Sequence, residues 1–150
     1  MTTHHAVATV VSALLDNRWH YARTPHQVDA LVDDLVREGL PHRGAQLYLA
    51  EQPVDRHSDP STRLVVSVDP TLGVGAVSFH DYRSDGGAWD SLAATPPEPG
   101  APPLVYDPHG GAGYRPSSLL PVEQVERAVR EFLTDGERPS CLGWQQAEVV

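Results

Sequence analysis

Two segments of the chain repeat apolar residues every three to four positions, which is the spacing of one helix face. The first follows Thr24 and is ended by a glycine, so we predict a helix over 25–38. Thr24 and Gln27 have the spacing of a capping box, in which the two side chains satisfy free backbone N–H groups at the start of a helix. The second segment follows Pro121 and ends before Gly136, a residue suited to a left-handed helix cap. The apolar stripes are Val28, Leu31, Val32, Leu35 and Val36 in the first segment and Val122, Val125, Val129, Phe132 and Leu133 in the second.

Shorter runs of β-branched and apolar residues predict strands. The runs over 63–69 and 74–80 are separated by a Pro-Thr-Leu-Gly turn, which predicts a β-hairpin. We interpret 18–23 as a turn or short extended piece. We interpret 81–103, which ends in a proline-rich stretch, as a long loop between two strands of one sheet. A glycine-rich turn is predicted over 109–113. The predicted strands are 6–11, 46–50, 63–69, 74–80, 104–106 and 141–145.

The order of these elements predicts the fold class. It reads β-α-β-β-β-β-α-β, in which successive strands are joined without intervening helices for most of the chain. This favours an α+β fold with an antiparallel-rich sheet of about five to six strands and two helices packed on one face. The 150 residues have the length of one compact domain, so we expect a single domain over 1–150.

The charge of the chain excludes several kinds of protein. Twenty Asp and Glu residues face eleven cationic residues, all of them arginine, and the formal net charge is -9. A chain without lysine cannot carry a P-loop, a Schiff-base lysine or a Ser-Lys nucleophile pair. A nucleic-acid-binding domain needs a basic face to neutralise phosphates, so we expect no nucleic acid partner. A partner protein with a basic surface is more compatible with this charge.

Cysteine and hydropathy patterns bear on the compartment. The single cysteine, Cys141, cannot form an intramolecular disulfide or a thiolate metal site. The first residues lack the cationic region and cleavage site of a signal peptide, and no apolar run has the length of a membrane helix. We therefore expect a cytoplasmic protein with no membrane association, no metal and no cofactor.

One grouping of polar residues would suit acid–base chemistry. His80 and Asp81 end a predicted strand, and Asp107 and His109 follow another, so strand ends could bring two imidazoles and two carboxylates together. Such a group would form either a mononuclear metal site or a His–Asp acid–base pair. On this alternative interpretation the protein is a small-molecule enzyme, or an accessory protein of a biosynthetic cluster. It would have a deep apolar pocket between helices and sheet with a perturbed histidine at its floor.

A second grouping is acidic and aromatic and would suit a binding partner. It lies in the predicted loop after the hairpin. Aromatic side chains are common anchors of protein interfaces, and carboxylates steer a basic partner during encounter. The predicted contact residues are Asp81, Tyr82, Asp85, Trp89 and Asp90.

The C-terminal segment resembles a known family. The Gly136-Glu137-Arg138-Pro139 turn after the second helix, followed by Trp144, is similar to the C-terminal half of the actinobacterial Imm1 family, and Thr24-Pro25 before a Val-Asp-x-Leu helix resembles its N-terminal helix. Imm1 proteins are immunity proteins of polymorphic toxin systems. Gly143 stands where the family commonly carries glutamate. Glu137 and Arg138 either pair across the turn or face a partner.

The resemblance implies an α+β protein that binds a cognate protein toxin, often a nuclease or a nucleic-acid deaminase, and blocks it stoichiometrically. An immunity-type binding protein is therefore the first hypothesis, and the histidine-based enzyme is the alternative. A structural or dimerisation module, active as a homodimer, is a third and would expose a sheet edge.

Overall fold

The computed structural model of the protein describes residues 9–38, 45–83, 86–94, 105–107 and 112–147. Its main element is an eight-stranded antiparallel sheet in which seven strands follow the order β10-β6-β5-β4-β3-β1-β2 and β9 pairs with β5. A separate two-stranded sheet joins β7 and β8. The strands are β1 Val10–Leu15, β2 Arg18–Ala22, β3 Ala45–Ala50, β4 Thr62–Asp69, β5 Val74–Asp81, β6 Ala88–Leu92, β7 Val105–Asp107, β8 Ala112–Gly113, β9 Leu120–Pro121 and β10 Gly143–Gln146.

Both predicted helices form. Helix α1 covers Pro25–Glu38 and α2 covers Val122–Asp135, with a short 3-10 turn at Pro116–Ser118 before α2. The capping box of α1 is present, since the Gln27 N–H donates to Thr24 Oγ1 at 3.1 Å and the Thr24 N–H donates to Gln27 Oε1 at 3.2 Å. No helix in the described part of the chain is long and apolar enough to cross a membrane.

The helices pack on one face of the sheet, as the stripes predict. Leu47, Leu64 and Phe79 are register partners on adjacent strands, so they share that face. All three belong to one buried cluster with Val32 of α1 and Phe132 of α2. The α+β class is thus confirmed, whereas the predicted number of strands is too low.

The first correction concerns the N-terminal hairpin. The structure places β1 at Val10–Leu15 rather than 6–11, and residues 1–8 lie outside the described residues. The piece at 18–23, interpreted as a turn or a short extended piece, is extended and contains β2 as an edge strand paired with β1. The two are joined by Asp16 and Asn17, with φ angles of 50° and 63°. Two successive positive φ angles are the requirement of a tight hairpin turn, and Asp and Asn tolerate them.

The second correction concerns the predicted loop over 81–103. It contains β6, which pairs with both β5 and β10. β7 pairs with β8 and stands apart from the main sheet, so the segment does not connect two strands of one sheet. Ala112–Gly113, placed in a glycine turn by the sequence, form β8. The last strand spans Gly143–Gln146 instead of 141–145.

Candidate functional site

Two groups of predicted residues meet at one end of the sheet, where β5 ends, β6 begins and α2 ends. Asp81 and Trp89 come from the predicted contact residues, and Glu137 and Arg138 come from the turn after α2. Together with Arg83 they line an open depression of about 260 Å³ whose floor is Phe79. We call Asp81, Arg83, Trp89, Glu137 and Arg138 the Arg83 cluster.

Arg83 links the end of β5 to the turn after α2. Its Nε and Nη2 donate to the two oxygens of Asp81 at 2.9 and 3.0 Å. Its Nη1 and Nη2 each donate to a Glu137 oxygen at 2.8 Å. These bonds hold the pKa of Asp81 below its usual range and raise the pKa of Arg83. Because Arg83 and Glu137 are exposed, their ion pair contributes more to the position of the side chains than to stability.

Arg138 covers Trp89. Its guanidinium carbon lies 4.8 Å from the centre of the indole ring, which is a cation–π geometry. Beneath it, Trp89 packs at 6.2 Å against Phe79 of the core. Glu137 and Arg138 therefore do not pair with each other across the turn. The Glu137 carboxylate is hydrogen-bonded to Arg83. The Arg138 guanidinium covers the Trp89 ring.

The turn after α2 is fixed from several sides. Gly136 adopts the left-handed conformation with φ 71°, and its N–H donates to the Phe132 carbonyl, as the capping prediction requires. The Thr62 hydroxyl donates to the Gly136 carbonyl at 2.6 Å. The Trp144 indole N–H donates to the Pro139 carbonyl at 2.8 Å. Sequence reasoning singled out Gly136 and Trp144, and the structure shows that they hold the segment presenting Glu137 and Arg138.

A carboxylate also anchors this turn from the helix side. Glu131 accepts hydrogen bonds from the backbone N–H and the hydroxyl of Ser140, both at 2.6 Å, and a weaker one from the Cys141 N–H at 3.3 Å. These bonds lower the pKa of Glu131 to about 2, the Ser140 hydroxyl having the largest effect. Partial burial of the thiol, and then the same carboxylate, raise the pKa of Cys141 to about 11, so this thiol is a poor nucleophile at neutral pH.

We expect the Glu131 anchor to make the protein acid-sensitive in a defined range. A carboxylate whose pKa is depressed on folding stabilises the native state above its unfolded pKa, near 4.5, and this contribution is lost as the pH falls towards about 2. When the melting temperature is measured from pH 6 to 2, it should fall less for Glu131→Gln than for the wild type, because the variant has no carboxylate to protonate at this position. Glu51→Gln, at an exposed loop position, is the control. Parallel curves for wild type and Glu131→Gln would contradict the prediction.

The other predicted contact residues are distributed differently from the expectation. Tyr82 is 52 % exposed, on the face of the sheet without helices. Trp89 and Asp90 lie in β6 rather than in a loop and point to opposite faces. Asp90 is buried and lies 3.6 Å from Arg115. Asp85 lies outside the described residues. The predicted loop of exposed carboxylates is therefore wrong for Asp90, and Asp81 is already bound by Arg83.

The arrangement weighs against the acid–base alternative. His80 and Asp81 are neighbours on β5, so their side chains leave opposite faces of the sheet. His80 Nε2 lies 3.2 Å from the Ser78 hydroxyl, and burial, helped by the Arg63 charge, lowers the pKa of His80 to about 4. His109 lies outside the described residues. Of the histidines that the structure describes, none lines the cavities of about 380, 260 and 190 Å³.

A metal site in a protein needs several His, Cys, Asp or Glu side chains that converge on one point. Within the described ranges, no three or more His, Cys, Asp or Glu side chains converge as metal ligands would.

Arg83 and Arg63 are the residues that sequence reasoning missed. For Arg83 a signal existed, because Asp81 and Arg83 are two positions apart at the end of a strand and such positions share a face.

Comparison with known families gives one finding that covers most of the chain. A family model described as "Immunity protein Imm1" matches residues 17–146. The matched region runs from the turn before β2 to the end of β10 and includes the whole Arg83 cluster. No curated protein matches the chain.

Proposed function

Because the chain belongs to the Imm1 family of immunity proteins, we propose that it neutralises a cognate protein toxin by forming a stoichiometric complex. The family match over residues 17–146 is the observation that carries this proposal. In the proposed complex the protein covers the active site or substrate channel of the toxin. In the proposal the two proteins meet in the cytoplasm. A reducing compartment suits this chain, because its single cysteine cannot form an intramolecular disulfide.

The proposed toxin class is a nuclease or a nucleic-acid deaminase. Such a toxin must carry a basic surface, because phosphate contacts dominate the binding of nucleic acids. The present chain has a formal net charge of -9, which favours association with a basic surface over long distances. Charge complementarity of this kind mainly raises the association rate and excludes unsuitable partners.

The proposed contact surface is the end of the sheet that carries the Arg83 cluster and Tyr82. Arg83, Glu137 and Arg138 are exposed there and surround the open depression, while Trp89 lies under Arg138. Tyrosine, tryptophan and arginine are the residue types that contribute most to binding energy at interfaces. Of the residues predicted from sequence, Asp81, Tyr82 and Trp89 remain in the proposal. The burial of Asp90 makes it a supporting residue.

Co-expression tests the proposed function. A toxin gene adjacent to the gene for this chain would be expressed from an inducible promoter, with and without the wild-type chain. We expect growth to be restored and the purified pair to elute as a complex of fixed stoichiometry. Continued growth arrest at saturating levels of the chain, together with separate elution of the two proteins, would overturn the proposal.

Tyr82→Ala tests the proposed surface. Tyr82 is 52 % exposed, so its truncation should change the free energy of unfolding by no more than about 0.5 kcal/mol. If Tyr82 is an anchor of the interface, the dissociation constant of the toxin complex should rise roughly 30-fold, equivalent to about 2 kcal/mol.

Leu72→Ala is the matched control for this variant. Leu72 is 49 % exposed in the turn between β4 and β5, at the opposite end of the same strands. Calorimetric titration of both variants would compare the two ends directly. If Leu72→Ala weakens toxin binding and Tyr82→Ala does not, the interface lies at the Leu72 end of the strands, and the proposed surface is wrong.

A further inference from the structure

Arg63 differs in its charge partners from the other partly buried arginines. Among the described arginines only Arg63, Arg115 and Arg130 are partly buried, whereas the rest are exposed. Arg130 donates to Asp29 at 2.6 Å and Glu126 at 3.3 Å, and Arg115 lies 3.6 Å from Asp90. Arg63 forms no ion pair with a carboxylate of the described residues. Within the described part of this acidic protein it is a partly desolvated cation without a counter-charge.

The neighbours of Arg63 are neutral and mostly aromatic. Its Nη1 donates to Gln46 Oε1 at 3.2 Å, and its guanidinium carbon lies 5.8 Å from the ring centre of Tyr82. His80 stands opposite it in register on β5. Tyr48, whose hydroxyl donates to the same Gln46 oxygen, is buried, and that burial raises the pKa of the Tyr48 hydroxyl despite the charge of Arg63. None of these groups supplies a negative charge at neutral pH.

One donor of Arg63, its Nε–H, has no acceptor in the part of the chain that the structure describes. This nitrogen is buried. A buried donor without an acceptor and a cation without an anion both cost free energy in the isolated protein. A ligand that brought a negatively charged oxygen to the guanidinium would remove the second of these costs, the missing counter-charge. Arginine side chains bind carboxylates through two parallel hydrogen bonds, which gives such a contact direction as well as strength.

We propose that Arg63, flanked by Tyr82, receives the carboxylate of an aspartate or glutamate side chain of the bound toxin. The inference rests on the proposed function and names a contact within it. A protein carboxylate carries one negative charge, which matches the single charge of Arg63, whereas the acidic chain repels a polyanion such as nucleic acid. The exposed ring of Tyr82 would shield the pair from water, as the rim of an interface does around a central contact.

The isolated protein tests the premise. Arg63→Gln should leave the melting temperature unchanged or raise it, because it removes an uncompensated charge. Arg115→Gln should lower the melting temperature, because it removes the positive charge that lies 3.6 Å from the buried Asp90 carboxylate. A comparable loss of stability in Arg63→Gln would show that Arg63 is satisfied within the fold, and it would overturn the inference.

A small carboxylate tests the contact without the toxin. The probe is N-acetyl-glutamate amide, titrated to concentrations on the order of 0.1 M, where weak single contacts are populated. The Nε–H resonance of Arg63, assigned by its absence from the spectrum of Arg63→Gln, is expected to shift in a saturable way. N-acetyl-glutamine amide, which lacks the charge, should leave it unchanged. No shift, an equal shift with the uncharged amide, or tighter binding of inorganic phosphate would each overturn the inference.

The toxin complex separates this inference from the proposed function. If wild type binds the toxin, Arg63→Gln should weaken binding roughly 30-fold, and Arg63→Lys should recover only part of it because a lysine lacks the planar fork. Equal affinity of wild type and Arg63→Gln would refute the contact while leaving the proposed function intact. If wild type binds no toxin, the proposed function fails, and the carboxylate titration still decides whether Arg63 binds a carboxylate.

Discussion

Replacing Phe79 by alanine is expected to lower the free energy of unfolding by about 3–5 kcal/mol, the usual cost of removing a buried phenylalanine. Phe79 is 2 % exposed and lies at the centre of an aromatic group. Its ring centre is 6.2 Å from those of Trp89 and Phe132 and 6.5 Å from that of Trp144. Three elements, α2, β6 and β10, therefore lose contact area through one substitution. Since small domains are stable by only about 5–15 kcal/mol, this loss is between about one fifth and all of the free energy of unfolding.

Urea denaturation followed by circular dichroism would measure this loss, with Phe79→Leu as the matched variant. Leucine keeps most of the buried apolar volume, so it should cost less than about 1.5 kcal/mol if the neighbours repack. Trp89 fluorescence should also change in Phe79→Ala under native conditions, because the ring beneath the indole is removed. A loss below about 1 kcal/mol for Phe79→Ala would mean that the aromatic group collapses into the cavity without penalty.

The helices could be predicted because their signals are local. The capping box of Thr24 and Gln27 and the left-handed cap at Gly136 depend on residues within one turn of each helix, and both are present. Their apolar stripes also contain the residues that the fold buries, such as Val32 and Phe132. Patterns of this kind specify an element before any tertiary contact forms.

Strand β6 could not be predicted because its support comes from distant residues. Its sequence is short, and Asp90 in its middle is unusual for a buried strand position. The carboxylate is tolerated because Arg115, from a separate segment of the chain, lies 3.6 Å away. The flanking strands β5 and β10 then complete its hydrogen bonds. No local pattern in the sequence indicates such a pairing.

The candidate site was predicted in pieces. Sequence reasoning proposed Asp81 and Trp89 as contacts and treated Glu137 and Arg138 as a separate family motif. Arg83 joins the pieces, and its bond to Glu137 spans 54 positions of the chain. The alternation of side chains in a strand also divides the predicted set, because Asp81 and Trp89 lie on the helix side while Tyr82 and Asp90 lie on the other.

This division changes the expected chemistry of toxin binding. In the Arg83 cluster, the carboxylates of Asp81 and Glu137 are already bound to Arg83. A toxin would therefore meet carboxylates whose charge is partly neutralised, and not free anions. On the other face lies Arg63, a partly buried arginine that has no carboxylate partner among the described residues. An acidic protein would thus bind a basic toxin through its overall field and fix the orientation through a contact of the opposite sign. Such a reversed pair discriminates among toxins that share a basic surface.

Replacing Gly75 by valine is expected to destabilise the fold by about 3 kcal/mol through overpacking. Gly75 pairs with Val68 and Leu120 at the point where β5 passes beneath α2. A Cβ at this position would lie 2.7 Å from the Ser67 carbonyl oxygen and 3.0 Å from Val125 Cγ2. The first of these atoms belongs to the backbone and cannot rotate away, so the strand itself must shift.

Thermal unfolding of Gly75→Val beside Gly143→Ala would measure the effect. A Cβ at Gly143 lies no closer than 3.4 Å to its neighbours, and Gly143→Ala should be neutral or slightly stabilising because alanine loses less backbone entropy. Equal melting temperatures for Gly75→Val and wild type would show that β5 and α2 separate without cost, contrary to the close packing seen at this crossing.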